Sequence, residues 1–302
     1  MPLPLEAVPN FSEGRDRSTI EAIGAALERH AELLDVHVDA DHNRSVFTLV
    51  AEDEKLADAL LAGVGEARDR IDLRRHQGAH PRIGAADVVP VVPIEPGDME
   101  RARVVARRVA EQIGEELGLP VFLYGELAPE RGPAFFRRGG TEELERRLAA
   151  GELAPDFGPS RLHERAGGVV VGARRPLIAF NVDLGDADVE IAREIAAVVR
   201  ERDGGFPGVR ALGLDLPRSG RVQVSMNVED WEAAALHELV ARIEAEAAAR
   251  GARILGSELV GLMPAGAAAA AAGAQLRISG FDASRVLELR LLKRDHAPGS
   301  GD

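Results

Sequence analysis

Gly78 and Pro81 set the conformation of the stretch that most constrains this chain, residues 74–93 (RRHQGAHPRIGAADVVPVVP). A helix through it would carry a Gly at a cost of about 1 kcal/mol and a Pro at about 3 kcal/mol. His80, directly before Pro81, is pushed toward extended backbone. The stretch therefore reads as a stiff, extended loop that runs into an apolar strand over 86–92. The loop holds two of the eight histidines, His76 and His80, and three arginines, Arg74, Arg75 and Arg82, with no acid before Asp87. The chain as a whole has a formal net charge of −13, so this is a local reversal of sign.

Three readings of His80 stand open on the residues alone. The plainest is a solvated loop histidine. A metal site of the HxxxH kind needs a helix that stacks both rings on one face, with Glu between them. Gly78 and Pro81 break such a helix and Gln77 stands near the Glu position, so no metal is expected. The third reading is a general base beside an anionic ligand, a role that suits a side chain whose ordinary pKa is about 6.5.

Around this loop the pattern predicts strands at 3–9, 33–39, 45–51 and 87–92 and helices at about 16–30 and 54–70. Residues 10–16 read as a polar turn, with Asp16 or Ser18 capping the first helix. A helix over 98–117 and a strand over 121–124 extend the unit. A short helix over 141–148, capped by Thr141, follows in an Arg-, Glu- and Gly-rich loop. Residues 154–175 (APDFGPSRLHERAGGVVVGARR) read as an inter-domain linker. The pattern then repeats: strand 177–184, helix 188–202, a hairpin of 210–216 and 221–228, helix 229–250 and strand 253–262. An Ala-rich helix over 265–273, a last strand over 286–292 and a disordered tail over 296–302 complete the reading. Each half is a βαββαβ unit, so the fold class is α+β: two ferredoxin-like subdomains, 1–176 and 177–302, with a ligand cleft between them.

The runs VPNFSEGRD (8–16), LLDVHVDADHNRSVFTLV (33–50), HQGAHPRIGAADVVPVVP (76–93), LPVFLYGE (119–126), APDFGPS (154–160), GARRPLIAFNVDL (172–184) and GSELVGLMP (256–264) occur in that order. Together they resemble the glutamate formimidoyltransferase family, the transferase half of the mammalian formimidoyltransferase-cyclodeaminase. That resemblance implies transfer of a formimino group from N-formimino-L-glutamate to tetrahydrofolate, a co-substrate, in histidine degradation. It also implies that His80, in the H-P-R motif, is the catalytic histidine and that His76 helps to position the site. Asp39, chosen over Asp35 and Asp41, is expected to orient His80. Glu258 stands where the mammalian enzyme carries Gln, and its role as acid, base or pterin anchor stays open. The resemblance places a folate-binding loop at Gly158, Pro159, Ser160, Arg161, Leu162, His163, Glu164, Arg165, Ala166 and Gly167, whose arginines suit the carboxylates of a glutamate tail. Asn10, Arg44, His76 and Arg82 are candidates for positioning substrate. The resemblance implies a homodimer, and a cytoplasmic location is the default expectation for a sequence of this composition. The alternatives are folate-dependent formyl exchange with glutamate and a non-catalytic folate-binding protein. A cyclodeaminase activity is not expected, because little sequence follows Pro264.

Composition narrows the partners. There is no Cys, hence no disulfide or thiolate chemistry. The acidic balance argues against a nucleic-acid partner, which needs a basic face. No apolar run approaches the ~20 residues that span a bilayer, and the first residues lack the basic-then-apolar pattern of a secretory signal. Small-molecule substrates, no nucleic acid and no membrane are therefore expected.

Overall fold

A computed structural model describes residues 3–79 and 81–290. Contacts divide the chain into two units, Met1–Pro176 with Leu216–Ser219, and Leu177–Asp215 with Gly220–Asp302. No helix among the described residues is long and apolar enough to cross a membrane.

The first unit is organised on strands β1 (Leu5–Ala7) and β2 (Asn10–Phe11), two pieces of one line interrupted at Val8 and Pro9. Pro9 has no N–H to give, but its carbonyl accepts from Phe47 N, and Val8 N donates to Pro90 O. This line lies between β4 (Arg44–Ala51) and β5 (Ala86–Pro93), antiparallel to both. Strand β3 (Glu32–Asp39) pairs with the outer side of β4. Beyond β5, strands β7 (Val169–Ala173) and β6 (Val121–Gly125) add in parallel. All eight residues of β5 are buried, the near-continuous apolar reading of a strand covered on both faces.

Helices α1 (Arg17–Glu28), α2 (Asp53–Arg70) and α3 (Met99–Glu116) cover one face of this sheet. Ile23, Leu27, Leu56, Leu60, Val109 and Ile113 pack there against Leu5, Phe11, Leu49, Val89 and Val171. Asp16 caps α1 through Ser18 N, as a residue of that type at that position should. A second, smaller cluster joins Ile83, Val88, Phe122 and Val170 to Phe136 of α4 (Pro133–Arg137), Leu144 of α5 (Gly140–Ala149) and Leu162.

The second unit is a four-stranded sheet in the order β11-β8-β10-β9, with β8 Ile178–Gly185, β9 Val209–Leu216, β10 Arg221–Val228 and β11 Arg253–Val260. Helices α6 (Val189–Val199), α7 (Leu236–Ala249) and α8 (Ala265–Leu276) supply Ile195, Val199, Leu239, Ile243 and Ala267 to a core that also takes Val182, Leu184, Val224 and Met226. Element order is strand, helix, strand, strand, helix, strand, with the fourth strand beside the first and the third between first and second. The first unit through β5 shows the same element order and, counting β1 and β2 as one, the same strand order. The chain is thus mixed α and β, with two sheets in two units.

Several boundaries differ from the sequence-based expectation. Asn10 and Phe11 are strand rather than turn, because both neighbours of the central line reach them. The linker expected over 154–175 contains β7, whose two parallel neighbours stabilise a short apolar run. Thr141 does not cap α5: the helix starts at Gly140, and Gly139 in left-handed backbone takes the cap position. Helix α7 starts at Leu236, not 229, because Asp230 holds a local turn through Ala233 N and Ala234 N. The strand expected from 286 is not formed in its described part: Arg290 N donates to Val286 O, a helical turn. Residues 296–302 lie outside the described residues.

Leu60 is fully buried between α2 and the sheet. Leu60→Ala is expected to lower unfolding free energy by about 2–5 kcal/mol, as a core truncation does, read by urea denaturation with far-ultraviolet circular dichroism.

Candidate active site

The loop that carries the histidines is fastened on three sides. A short 3-10 turn, Leu73–Arg75, is capped by Asp72, and the chain leaves it extended at His76. Asn43, at the tip of the β3–β4 hairpin in left-handed backbone, links two loops with one side chain. Its Oδ1 accepts from Gly14 N at 2.9 Å and its Nδ2 donates to Gln77 O at 3.0 Å. Two glycines permit the approach: a Cβ on Gly14 would lie 2.1 Å from Asp39 O, and one on Gly78 2.2 Å from His42 O. Ala79 N donates to Asp41 O at 3.1 Å. Beyond the loop, Ile83 N donates to Asp87 Oδ1 at 2.7 Å, and Ser12 Oγ donates to Gly84 O at 2.7 Å. His80 itself lies outside the described residues.

His76 and Arg82 form a pair within this frame. The Arg82 Nη1 group lies within hydrogen-bond reach of both ring nitrogens of His76, and His76 Nε2 lies 3.0 Å from Asn43 O. Arg82 Nη2 donates to His42 O at 3.1 Å. Burial, with Arg82 adding to it, pushes the His76 pKa down to about 4, so the ring is neutral near pH 7. Burial and the charges of Arg44, Arg137 and Arg15 push Arg82 down to about 10, with Asp87 opposing. Arg137 is salt-bridged to Asp87. Arg15, Arg44 and Arg137 are thus close enough to Arg82 for their charges to act on it. Arg74 is engaged elsewhere, with Asp72 at 2.7 Å and Glu164 at 2.6 Å.

Asp39 meets a partner that its sequence context did not single out. Its Oδ2 lies 2.5 Å from Nδ1 of His42, and its Oδ1 accepts from Asp41 N and His42 N, both at 2.8 Å. Burial pushes this carboxyl up, but the hydrogen bonds from His42 and Asp41 outweigh it and hold the pKa down at about 2. Asp39 is therefore ionised throughout the neutral range. Of the other positioning candidates, Asn10 Nδ2 donates to Val8 O at 2.9 Å, next to the break in the central strand. Arg44 opens β4, opposite Asp39 in register.

Residues 158–167 divide into an exposed front and a buried back. Gly158, Pro159, Ser160 and Arg161 are exposed, as are Glu164 and Arg165. Leu162 and Ala166 are buried in the two clusters of the first unit. His163 shapes the turn: its N–H and C=O exchange hydrogen bonds with Gly167, and its Nδ1 accepts from Ala166 N at 3.0 Å. The turn is also bound to the histidine loop, since Leu73 N donates to Arg165 O and Ala85 N to Ala166 O, both at 2.8 Å. Gly167, at φ +68°, leaves no room for a side chain: a Cβ would sit 2.0 Å from Ile83 O. In the second unit, Glu258 on β11 accepts from Asn181 Nδ2 on β8 at 3.1 Å.

Comparison with known proteins gives the family of the chain. The family model described as "Formiminotransferase domain, N-terminal subdomain" matches residues 4–174 and the one described as "Formiminotransferase domain" matches residues 179–279. The chain belongs to the formiminotransferase family. It is 40% identical over 296 residues to the glutamate formimidoyltransferase of Thermoplasma acidophilum, covering 96% of this chain and 97% of that one. It is also 40% identical to the glutamate formimidoyltransferase of Streptococcus pyogenes, over 95% and 98% of the two chains. The formimidoyltransferase-cyclodeaminase of Gallus gallus is 39% identical over 86% of this chain and 50% of its own length.

Within the formiminotransferase frame, the structure brings His76, Arg82, Asn43 and the Asp39–His42 pair to one loop cluster. Asn43, His42, Ser12 and the Asp87–Arg137 pair were not singled out from the sequence. Polar residues in a DADHNR hairpin are the only signal that pointed toward the first two.

The depressed His76 pKa has a sign that can be measured. Between about 4 and 6.5 the unfolded chain binds the proton that folded His76 refuses, so stability rises with pH across that window. Relative to His76→Gln, the wild type is expected to lose stability as pH falls from 6.5 toward 4, with urea midpoints at each pH as the readout. In nuclear magnetic resonance titration the His76 ring is expected to stay neutral until about pH 4.

Proposed function

We propose that this chain is a glutamate formimidoyltransferase, moving the formimino group of N-formimino-L-glutamate to tetrahydrofolate to give 5-formimidoyltetrahydrofolate and L-glutamate, in histidine degradation. The observation that carries this reading is the 40% identity to two glutamate formimidoyltransferases over nearly the whole of each chain.

The reaction is an amidine exchange. The amine at ring position five of tetrahydrofolate attacks the formimino carbon, a tetrahedral carbon bearing three nitrogens forms, and it collapses with loss of the glutamate amine. One proton leaves the attacking nitrogen and one reaches the departing nitrogen. In this reading His80 carries both in turn, and catalysis of this kind is worth about 10²–10⁴ in rate. Support comes from the frame around position 80, where hydrogen bonds fix Ala79 on one side and Ile83 on the other. Asp39, ionised and tied to His42, is proposed to orient His80, and Glu258 to serve as acid, base or pterin anchor. Arg82 and Arg44, both beside the histidine loop, are the candidates to hold the two carboxylates of the donor. The exposed front of residues 158–167 is proposed to take the folate. We also read the two units as ferredoxin-like subdomains with the ligand cleft between them, in a homodimer, as the family resemblance implies, and in the cytoplasm, the default for this composition. No metal is invoked in any step.

The direct test mixes purified protein with tetrahydrofolate and formiminoglutamate, quenches in acid and follows methenyltetrahydrofolate by absorbance. Formylglutamate serves as a parallel donor. Signal with the formimino donor is expected; signal with the formyl donor alone would change the substrate, and none with either would leave a folate-binding protein. His80→Ala is expected to lower turnover by about 10²–10⁴ while tetrahydrofolate binding is kept; turnover at the wild-type rate would remove His80 from the mechanism.

A further inference from the structure

Arg137 has a place in the fold that none of the roles above uses. It ends α4, and Phe136 beside it is fully buried in one cluster with Ile83 and Val88. A helix of five residues is thus seated on the segment that leads from the histidine loop into β5. Arg137 Nη2 donates to Asp87 Oδ2. The two side chains are only 15% and 4% exposed, and Arg137 Nε is buried with no hydrogen-bond partner among the described residues. A pair placed so deeply adds little net stability, because taking both charges out of water offsets their attraction. The unmet donor adds to that cost. An apolar contact would fasten α4 as well, so fastening alone does not account for two charges here.

Asp87 stands between two arginines. Its Oδ1 accepts from Ile83 N and its Oδ2 from Arg137, so both oxygens are engaged. Its charge favours that of Arg82, which the charges of Arg44, Arg137 and Arg15 oppose. Arg82 turns its Nη groups elsewhere, toward the ring of His76 and the carbonyl of His42. Arg137 is thus the cation that meets Asp87 directly, and Arg82 feels the same carboxylate only through space. Without Arg137, a buried carboxylate would be left to draw on another cation, and Arg82 is one on which it already acts.

We propose that Arg137 is a positioning residue for the donor: by neutralising Asp87 it keeps Arg82 out of an internal ion pair and leaves that guanidinium to a carboxylate of the donor. The inference rests on the reading of Arg82 as a residue that holds the donor. Asp87 keeps a task of its own, fixing Ile83 N where the histidine loop ends.

The test is binding of N-formyl-L-glutamate, a dicarboxylate without the formimino group, to the full chain in the absence of tetrahydrofolate. Isothermal titration calorimetry at fixed ionic strength gives the dissociation constant. Arg137→Met leaves Asp87 uncompensated and is expected to weaken binding about 10-fold, the effect of one stray charge across partly buried protein. It should raise the half-saturating concentration of formiminoglutamate by a like factor and leave that of tetrahydrofolate unmoved. Arg137→Lys, which keeps the charge, should bind nearly as wild type does. Adding Asp87→Asn to Arg137→Met removes the stray carboxylate and should restore binding. A pair that only fastened α4 would not be rescued in this way, since the double variant lacks both ends of it. Asp87→Asn alone, in a protein that keeps Arg137, should bind the dicarboxylate at least as tightly as wild type. Weaker binding by Asp87→Asn alone, an unrescued double variant, or a folded Arg137→Met protein that binds as wild type does would each overturn the proposal. So would a wild type that does not bind the dicarboxylate. If the binding pattern holds and no formimino group is transferred, the proposed reaction fails and the role of Arg137 stands. If transfer proceeds and binding is indifferent to Arg137, the reaction stands and this role fails.

Discussion

At Gly84 another segment of backbone comes so near that an added Cβ would lie 1.8 Å from Gly168 O. No side chain larger than hydrogen can be inserted there without moving one of the two strands of chain. The segment after the histidine loop and the segment before β7 are therefore laid directly on each other. Gly168 N donates to Ile83 O at 3.0 Å, and Gly84 bridges to Gly167. A loop of Gly, Pro and charged residues would otherwise sample many conformations, and ordering each residue costs about 1–2 kcal/mol of backbone entropy. Here the backbone hydrogen bonds and the buried Leu162 and Ala166 offset that cost. The exposed front of residues 158–167 can then vary while its back stays tied to the histidine loop.

The histidine loop reverses the sign of a chain whose formal net charge is −13. Arg15, Arg44 and Arg137 are close enough to Arg82 for their charges to lower its pKa, with Asp87 opposing them, and Arg137 is salt-bridged to Asp87. The donor substrate proposed for this chain is a dicarboxylate with a small reactive group. Electrostatics of this kind acts more on selectivity and encounter than on raw affinity.

Most strands and helices were legible because their periods were intact: Val46, Thr48 and Val50 against Phe47 and Leu49, or Ile191, Ile195 and Val199 along α6. Strand β7 was not, since VVVGA has no alternation and stands among glycines and arginines that read as a linker. Only its parallel neighbours, distant in sequence, make it a strand. At the candidate site, Gly78 and Pro81 pointed to an extended loop, and His76 is extended. The partners of that loop lie far off along the chain. Asn43 reaches Gln77 across 34 positions and Ser12 reaches Gly84 across 72, so neither leaves a local pattern.

The central line of the first sheet, β1 and β2, is made from residues 5–11, while its two neighbours end at Ala51 and Pro93. During synthesis this line can pair with β4 first, and its other edge must wait until β5 has left the ribosome. At ordinary elongation rates of about 5–20 residues per second this is an interval of several seconds. Through that interval an apolar strand edge is open to any passing partner, so nascent-chain chaperones have their widest opportunity on the first ninety or so residues. Once β5 arrives, the line closes from both sides.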